Sequence, residues 1–126
     1  MKKKNDLMFW GGIVLILLAI IGWAAYSNSQ PGQLDEFAQC LKDKGATFYG
    51  AFWCPHCQTQ KRMFGNSAKL LPYVECSTPD GQGQLQTCTE KGIKSYPTWT
   101  FADSSTLAGE VSLPTLAGKT SCVLPK

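Results

Sequence analysis

The first apolar stretch, Leu7 to Tyr26 (LMFWGGIVLILLAIIGWAAY), carries no charge. At 1.5 Å per residue, a helix of about 20 residues matches a hydrocarbon core about 30 Å thick. Trp10 and Trp23 lie near its ends, where interfacial anchors sit. The alternative is a cleaved signal peptide, with Lys2, Lys3 and Lys4 as its basic start and the small Ser27 and Ser29 flanking a cut. The run exceeds the roughly 7 to 15 apolar residues of a signal sequence, which favours an anchor. In either case the lysines stay cytoplasmic and the rest of the chain is exported. The expected layout is a basic tail over 1–6, a transmembrane anchor over 7–26, a polar linker over 27–33 and one domain over 34–126.

Beyond the linker the period changes. Leu34, Phe37, Ala38 and Leu41 recur at helical spacing, predicting an amphipathic helix over Leu34 to Lys44 that stops at Gly45. ATFYGAFW, Ala46 to Trp53, is nearly unbroken apolar and aromatic, as in a strand covered on both faces that runs straight into Cys54. Pro55 suits a first helical turn, so a second helix should run from Cys54 through Phe64, with Gly65 loosening or ending it. Leu71 to Ser77 reads as a strand, Gly83 to Gly92 as a short helix and Tyr96 to Phe101 as a strand with Trp99 and Phe101 in the core. Asp103 to Ser105 turns the chain into a hairpin partner, Thr106 to Ser112, and a final helix covers Leu113 to Lys119 with Ser112 as its N-cap. There is no internal repeat.

The net charge of +3 narrows the partners little, because Lys2 to Lys4 account for most of it. From Ser27 onward nine basic residues face eight acidic ones, a balance that excludes a nucleic-acid footprint. Six cysteines in an exported domain this small point to an oxidising compartment.

Two of them make the candidate site. In FWCPHCQ, Phe52 to Gln58, Cys54 and Cys57 bracket Pro55 and His56 at a strand-to-helix junction. A helix start presents unpaired N–H groups and about half a positive charge, which favours a thiolate at Cys54. Cys54, at the open end, should attack; Cys57, one turn in, should resolve. His56, the single histidine, can lend positive charge or a hydrogen bond to the Cys54 sulfur. Two thiolates and one imidazole could also clip copper or zinc for delivery, but only as three ligands. A static disulfide in a non-enzymatic adaptor is a further alternative.

A C-x-x-C in a β-α-β setting reads as a thioredoxin-like redox motif. FWCPHC, followed by SYPT at Ser95 to Thr98, is similar to the WCxxC and cis-proline pair of the thioredoxin superfamily. More narrowly, FYGAFWCPHCQTQKRMFG, LPYVEC and YPTW resemble the thioredoxin-like domain associated with bacterial and plant vitamin K epoxide reductase homologues, over nearly all of Phe37 to Cys122. The resemblance implies an α/β thioredoxin-like fold, a central mixed sheet flanked by helices, behind the N-terminal transmembrane helix. It implies a redox-active cysteine pair with no other cofactor and no metal. It also implies a cis Pro97 whose loop leaves the Tyr96 backbone to pair with an extended client, with Trp53 in packing or client contact.

Thioredoxins often carry a buried acid six residues before the attacking cysteine; Phe48 stands there, leaving the Cys57 proton to water or another group such as Glu75. DsbA-type oxidases share the Pro-His pair, which tilts the resemblance toward disulfide donation. The expected protein is a monomeric, single-pass membrane oxidoreductase, its N-terminus cytoplasmic and its domain outside. It would oxidise reduced exported proteins and be reoxidised by a quinone reductase like the vitamin K epoxide reductase homologues. A disulfide reductase or isomerase, serving for example cytochrome maturation, is the alternative direction. Cys40, Cys76, Cys88 and Cys122 allow three connectivities. Cys76 with Cys88 would close a local loop and looks like a pair of the reductase-associated family; Cys40 with Cys122 would then tie the first helix to the C-terminus. Two structural staples are expected, one pair relaying electrons being the alternative.

Overall fold

The structure, a computed structural model, describes residues 2–126 and divides at Gln30/Pro31 into a single helix and a domain. The helix, α1, covers Lys2–Ser29 and outruns the predicted anchor at both ends. Ser27 to Ser29, read as linker, are its last turn, where the Ser29 hydroxyl donates to the Tyr26 carbonyl at 2.7 Å. Pro31 disfavours helical geometry in the residue before it, and the helix has ended by then. Met8–Ser29 is long and apolar enough to cross a membrane.

Within the domain, α2 (Asp35–Asp43) buries Phe37, Ala38 and Leu41, the face its spacing predicts. Gly45 stops it at φ 77°, a left-handed conformation that costs glycine little. The strands are β1 (Thr47–Gly50), β2 (Tyr73–Glu75), β3 (Thr98–Thr100) and β4 (Thr106–Ala108), in sheet order β2-β1-β3-β4. The β1–β2 pair is parallel, the other two antiparallel. Each strand is shorter than its apolar run, because the outer residues turn away to build loops. The clearest correction is at β1: it ends at Gly50, and Ala51 to Trp53 form a turn instead of a strand entering Cys54.

β1 is covered on both faces, as an inner strand beside a parallel neighbour should be. On one face Phe48 stacks on Trp99, centroids 5.0 Å apart, and meets Tyr73 edge-on at 5.2 Å. These three are partners across the sheet register. On the other face Tyr49 joins Cys76, Cys88 and Ile93 in a second cluster.

The second helix of the domain, α3, spans Pro55–Met63, one residue short of Phe64. Gly65, at φ 53°, does not simply end the segment: a 3₁₀ helix follows over Gly65–Leu70, a span with no helical apolar period to announce it. α4 is the short Gln86–Glu90, and α5 covers Leu113–Thr120 with the Ser112 hydroxyl accepting from the Thr115 N–H. Two disulfides brace the layers. Cys40–Cys122 ties α2 to the segment after α5, and Cys76–Cys88 ties the end of β2 to α4.

Candidate active site

The site forms where β1 stops. The Ala51 carbonyl accepts the Cys54 N–H at 3.0 Å, closing a tight turn that leaves Phe52 and Trp53 half out in solvent, 50% and 52% exposed. Three side chains pin this turn. Gln58 donates to the Phe52 carbonyl, Glu75 accepts the Phe52 N–H, and the Trp53 indole donates to Ser77 Oγ at 2.9 Å. Trp53 also meets Tyr96 edge-on, 6.1 Å between centroids, so it combines packing with an open face.

Cys54 is the N-cap of α3, and its sulfur accepts the Cys57 N–H at 3.4 Å. Pro55 occupies the first turn, where its missing N–H costs nothing. A sulfur capping a helix sits in the field of the unpaired N–H groups. The thiol of Cys54 also points at the Tyr96 carbonyl, 3.7 Å away. Cys54 is not the open residue its position suggested, being 4% exposed against 0% for Cys57. The exposed elements beside it are Phe52 and Trp53. Burial, with a hydrogen bond to Cys54, pushes the Cys57 thiol up to about 12.

Tyr96–Pro97 is cis. The Pro97 carbonyl accepts the Gly109 N–H, and the Tyr96 hydroxyl accepts from Gln84 at 2.6 Å, fixing the loop on both sides of the peptide. With the thiols free, the Tyr96 carbonyl accepts from the Cys54 thiol.

His56 departs from expectation too. Its Nδ1 lies 2.7 Å from Glu110 Oε1, on the loop after β4, and the hydrogen bond is made there instead of to Cys54. One helical turn later the buried Gln60 donates to the Val111 carbonyl at 3.0 Å and accepts its N–H at 2.7 Å. α3 thus holds the 110–111 segment twice. Nothing in the local pattern announces either contact, since the partners are 54 and 51 residues apart. Among the described residues no three His, Cys, Asp or Glu side chains gather as metal ligands.

Cys54 and Cys57 therefore stand as free thiols at a capped helix start beside a cis proline, while the other four cysteines are bonded in pairs. This arrangement on a mixed four-stranded sheet decides the architecture. The fold is thioredoxin-like. No family model matches the chain. Over 99 residues, 75% of its length, it is 44% identical to thiol-disulfide oxidoreductase LTO1 of Arabidopsis thaliana. It spans 26% of that relative's length.

Proposed function

We propose that this thioredoxin-like protein is a membrane-anchored thiol-disulfide oxidoreductase working outside the cytoplasm, and that it donates the Cys54–Cys57 disulfide to reduced exported proteins. The observation that carries the reading is the capped pair itself: two free thiols one turn apart, one sulfur held by a helix-start N–H and facing the carbonyl before a cis proline. A client thiolate attacks Cys54 Sγ, the bond to Cys57 Sγ breaks, and Cys57 leaves and takes up a proton. A second client thiolate then attacks the client sulfur of the mixed disulfide and expels Cys54. The client is oxidised by two electrons and the protein reduced by two.

Reoxidation is assigned to a membrane quinone reductase resembling the vitamin K epoxide reductase homologues, which would pass two electrons and two protons to its quinone. The resemblance in FWCPHC, LPYVEC and YPTW supports that partner, and the apolar helix α1 supports work at the membrane. Pro55 and His56, with Phe48 in place of a buried acid, support the oxidising direction.

The test is the reduction potential of Cys54–Cys57 in the full chain in detergent, equilibrated with glutathione. A value at or above about −180 mV, the range of disulfide donors and isomerases, is expected; a value near about −270 mV, that of thioredoxin, makes the protein a reductase. Cells carrying Cys57→Ala should accumulate mixed disulfides on Cys54 with exported clients and with the membrane reoxidant.

A further inference from the structure

The buried Cys57 must gain or lose a proton in every turnover, and the position six residues before Cys54 holds Phe48, which has no proton to exchange. The structure offers a different group. Gly50 ends β1 with no side chain, and two neighbours close on the space: a methyl there would lie 2.9 Å from Tyr73 Cε2 and 3.0 Å from Cys57 Sγ. The edge of the Tyr73 ring, at the carbon next to the one that bears the hydroxyl, and the resolving thiol thus border one small gap. Across the register Gly50 pairs with Glu75, and Tyr73, two residues earlier on β2, donates its hydroxyl to Glu75 Oε2 at 2.7 Å.

We propose that Tyr73 carries the proton of Cys57, with Glu75 as the positioning residue that draws the phenolic proton and connects the pair to solvent. This rests on the thiol-disulfide reading above and names the group through which its buried sulfur changes charge. In the resolving direction the Cys57 proton passes to the Tyr73 oxygen while the Tyr73 proton passes to the Glu75 carboxylate. Cys57 sulfur bonds to Cys54 Sγ, and the partner sulfur leaves as thiolate. In the donating direction the half-buried Glu75 takes a proton from solvent and the chain runs backwards.

Among the described residues, four charged or titratable groups act on Tyr73 here. Cys54 and Cys57 lie on the α3 side, Glu75 on β2, and the Lys61 ammonium 3.5 Å from the Tyr73 ring centroid, one turn beyond Cys57. Burial holds both the Cys57 thiol and the Tyr73 hydroxyl well above their ordinary values, Glu75 adding to the rise at Tyr73 and Lys61 offsetting a small part of it at Cys57. The phenol gives its proton to Glu75 only as it takes one from Cys57, so no phenolate forms. The other Glu75 oxygen, Oε1, accepts the N–H groups of Phe52 and Ser77, which fixes the carboxylate beneath the active-site turn.

The test uses the reduced full chain in detergent and an aromatic disulfide, 5,5′-dithiobis(2-nitrobenzoate). Cys54 attack releases one thiolate; Cys57 attack on the mixed disulfide then releases a second, and stopped-flow absorbance separates the phases from pH 6 to 9. Tyr73→Phe should slow the second phase about 100-fold at pH 7, the scale of one acid–base group, and leave the first within about twofold. Its second phase should become first-order in hydroxide. Glu75→Gln keeps an acceptor oxygen for Phe52 and Ser77 but offers Tyr73 an amide donor, so it should show the same selective loss and carries the test if Tyr73→Phe fails to fold. A second phase with wild-type rate and pH profile in both variants overturns the relay. So does a selective loss in Lys61→Met alone, which would give the role to the ammonium. If the wild-type chain shows no first phase, the thiol-disulfide reading falls and the relay with it.

Discussion

A thiol that stays protonated far into the alkaline range leaves a signature in the potential. Cys57 is fully buried and its thiol is raised from 9.0 to about 12, first by burial and then by the hydrogen bond with Cys54. The reduced fold therefore holds the proton that an unfolded chain would release at 9.0. The stability this contributes is complete below pH 9.0 and is lost as pH rises toward about 12. At 1.36 kcal/mol per pH it amounts to about 4 kcal/mol over the window. The oxidised protein has no thiol at position 57 and loses none of it.

Reduction must accordingly take up at least the Cys57 proton throughout the window, and one proton per two electrons lowers the potential by about 30 mV per pH. The perturbation is pH alone, on the full chain in detergent. The protein is equilibrated at pH 7 to 11 with a dithiol–disulfide couple of known pH dependence, quenched by alkylation and scored by mass. Between pH 9 and 11 the potential should continue down by about 60 mV. A potential that levels off near pH 9, as two ordinary thiols would make it, refutes the claim that burial keeps Cys57 protonated.

Two further predictions concern the frame around the site. Chain entropy makes the Cys40–Cys122 bond, spanning 82 residues, worth about 4.5 kcal/mol and the Cys76–Cys88 bond, spanning 12, about 3 kcal/mol. In urea unfolding Cys40→Ala/Cys122→Ala should thus lose about 1.5 kcal/mol more than Cys76→Ala/Cys88→Ala; the reverse order would show that loop length does not govern these staples. Gln60→Leu strips both hydrogen bonds from the buried Val111 backbone and should cost about 2 to 6 kcal/mol, at about 1 to 3 for each unpaired group. A loss under about 1 kcal/mol would mean that water or a shifted loop replaces the clamp.

Most of the domain's elements were readable along the chain because they rest on local rules. The face of α2 follows from apolar residues at helical spacing, the end of that helix from Gly45, the start of α3 from Pro55, and the N-cap of α5 from Ser112. The boundaries drifted where apolar residues serve something other than a strand. Phe52 and Trp53 continue the apolar run of β1, yet the chain turns at Ala51, and their apolar surface is left at the rim of the site. His56 is two residues from Cys54 in sequence, but a carboxylate 54 residues away holds its ring.

That Cys54 and Cys57 lie at a helix start, and that a later apolar strand follows Pro97, is written in neighbouring residues and their backbone preferences. Tertiary packing settles which of three pairings joins the other cysteines, that Glu110 and not Cys54 holds His56, and that the Tyr73 ring and the Cys57 sulfur border the same space at Gly50. Those outcomes depend on which distant segments the sheet register and the packing of α3 bring within a few ångströms. No local period encodes that distance.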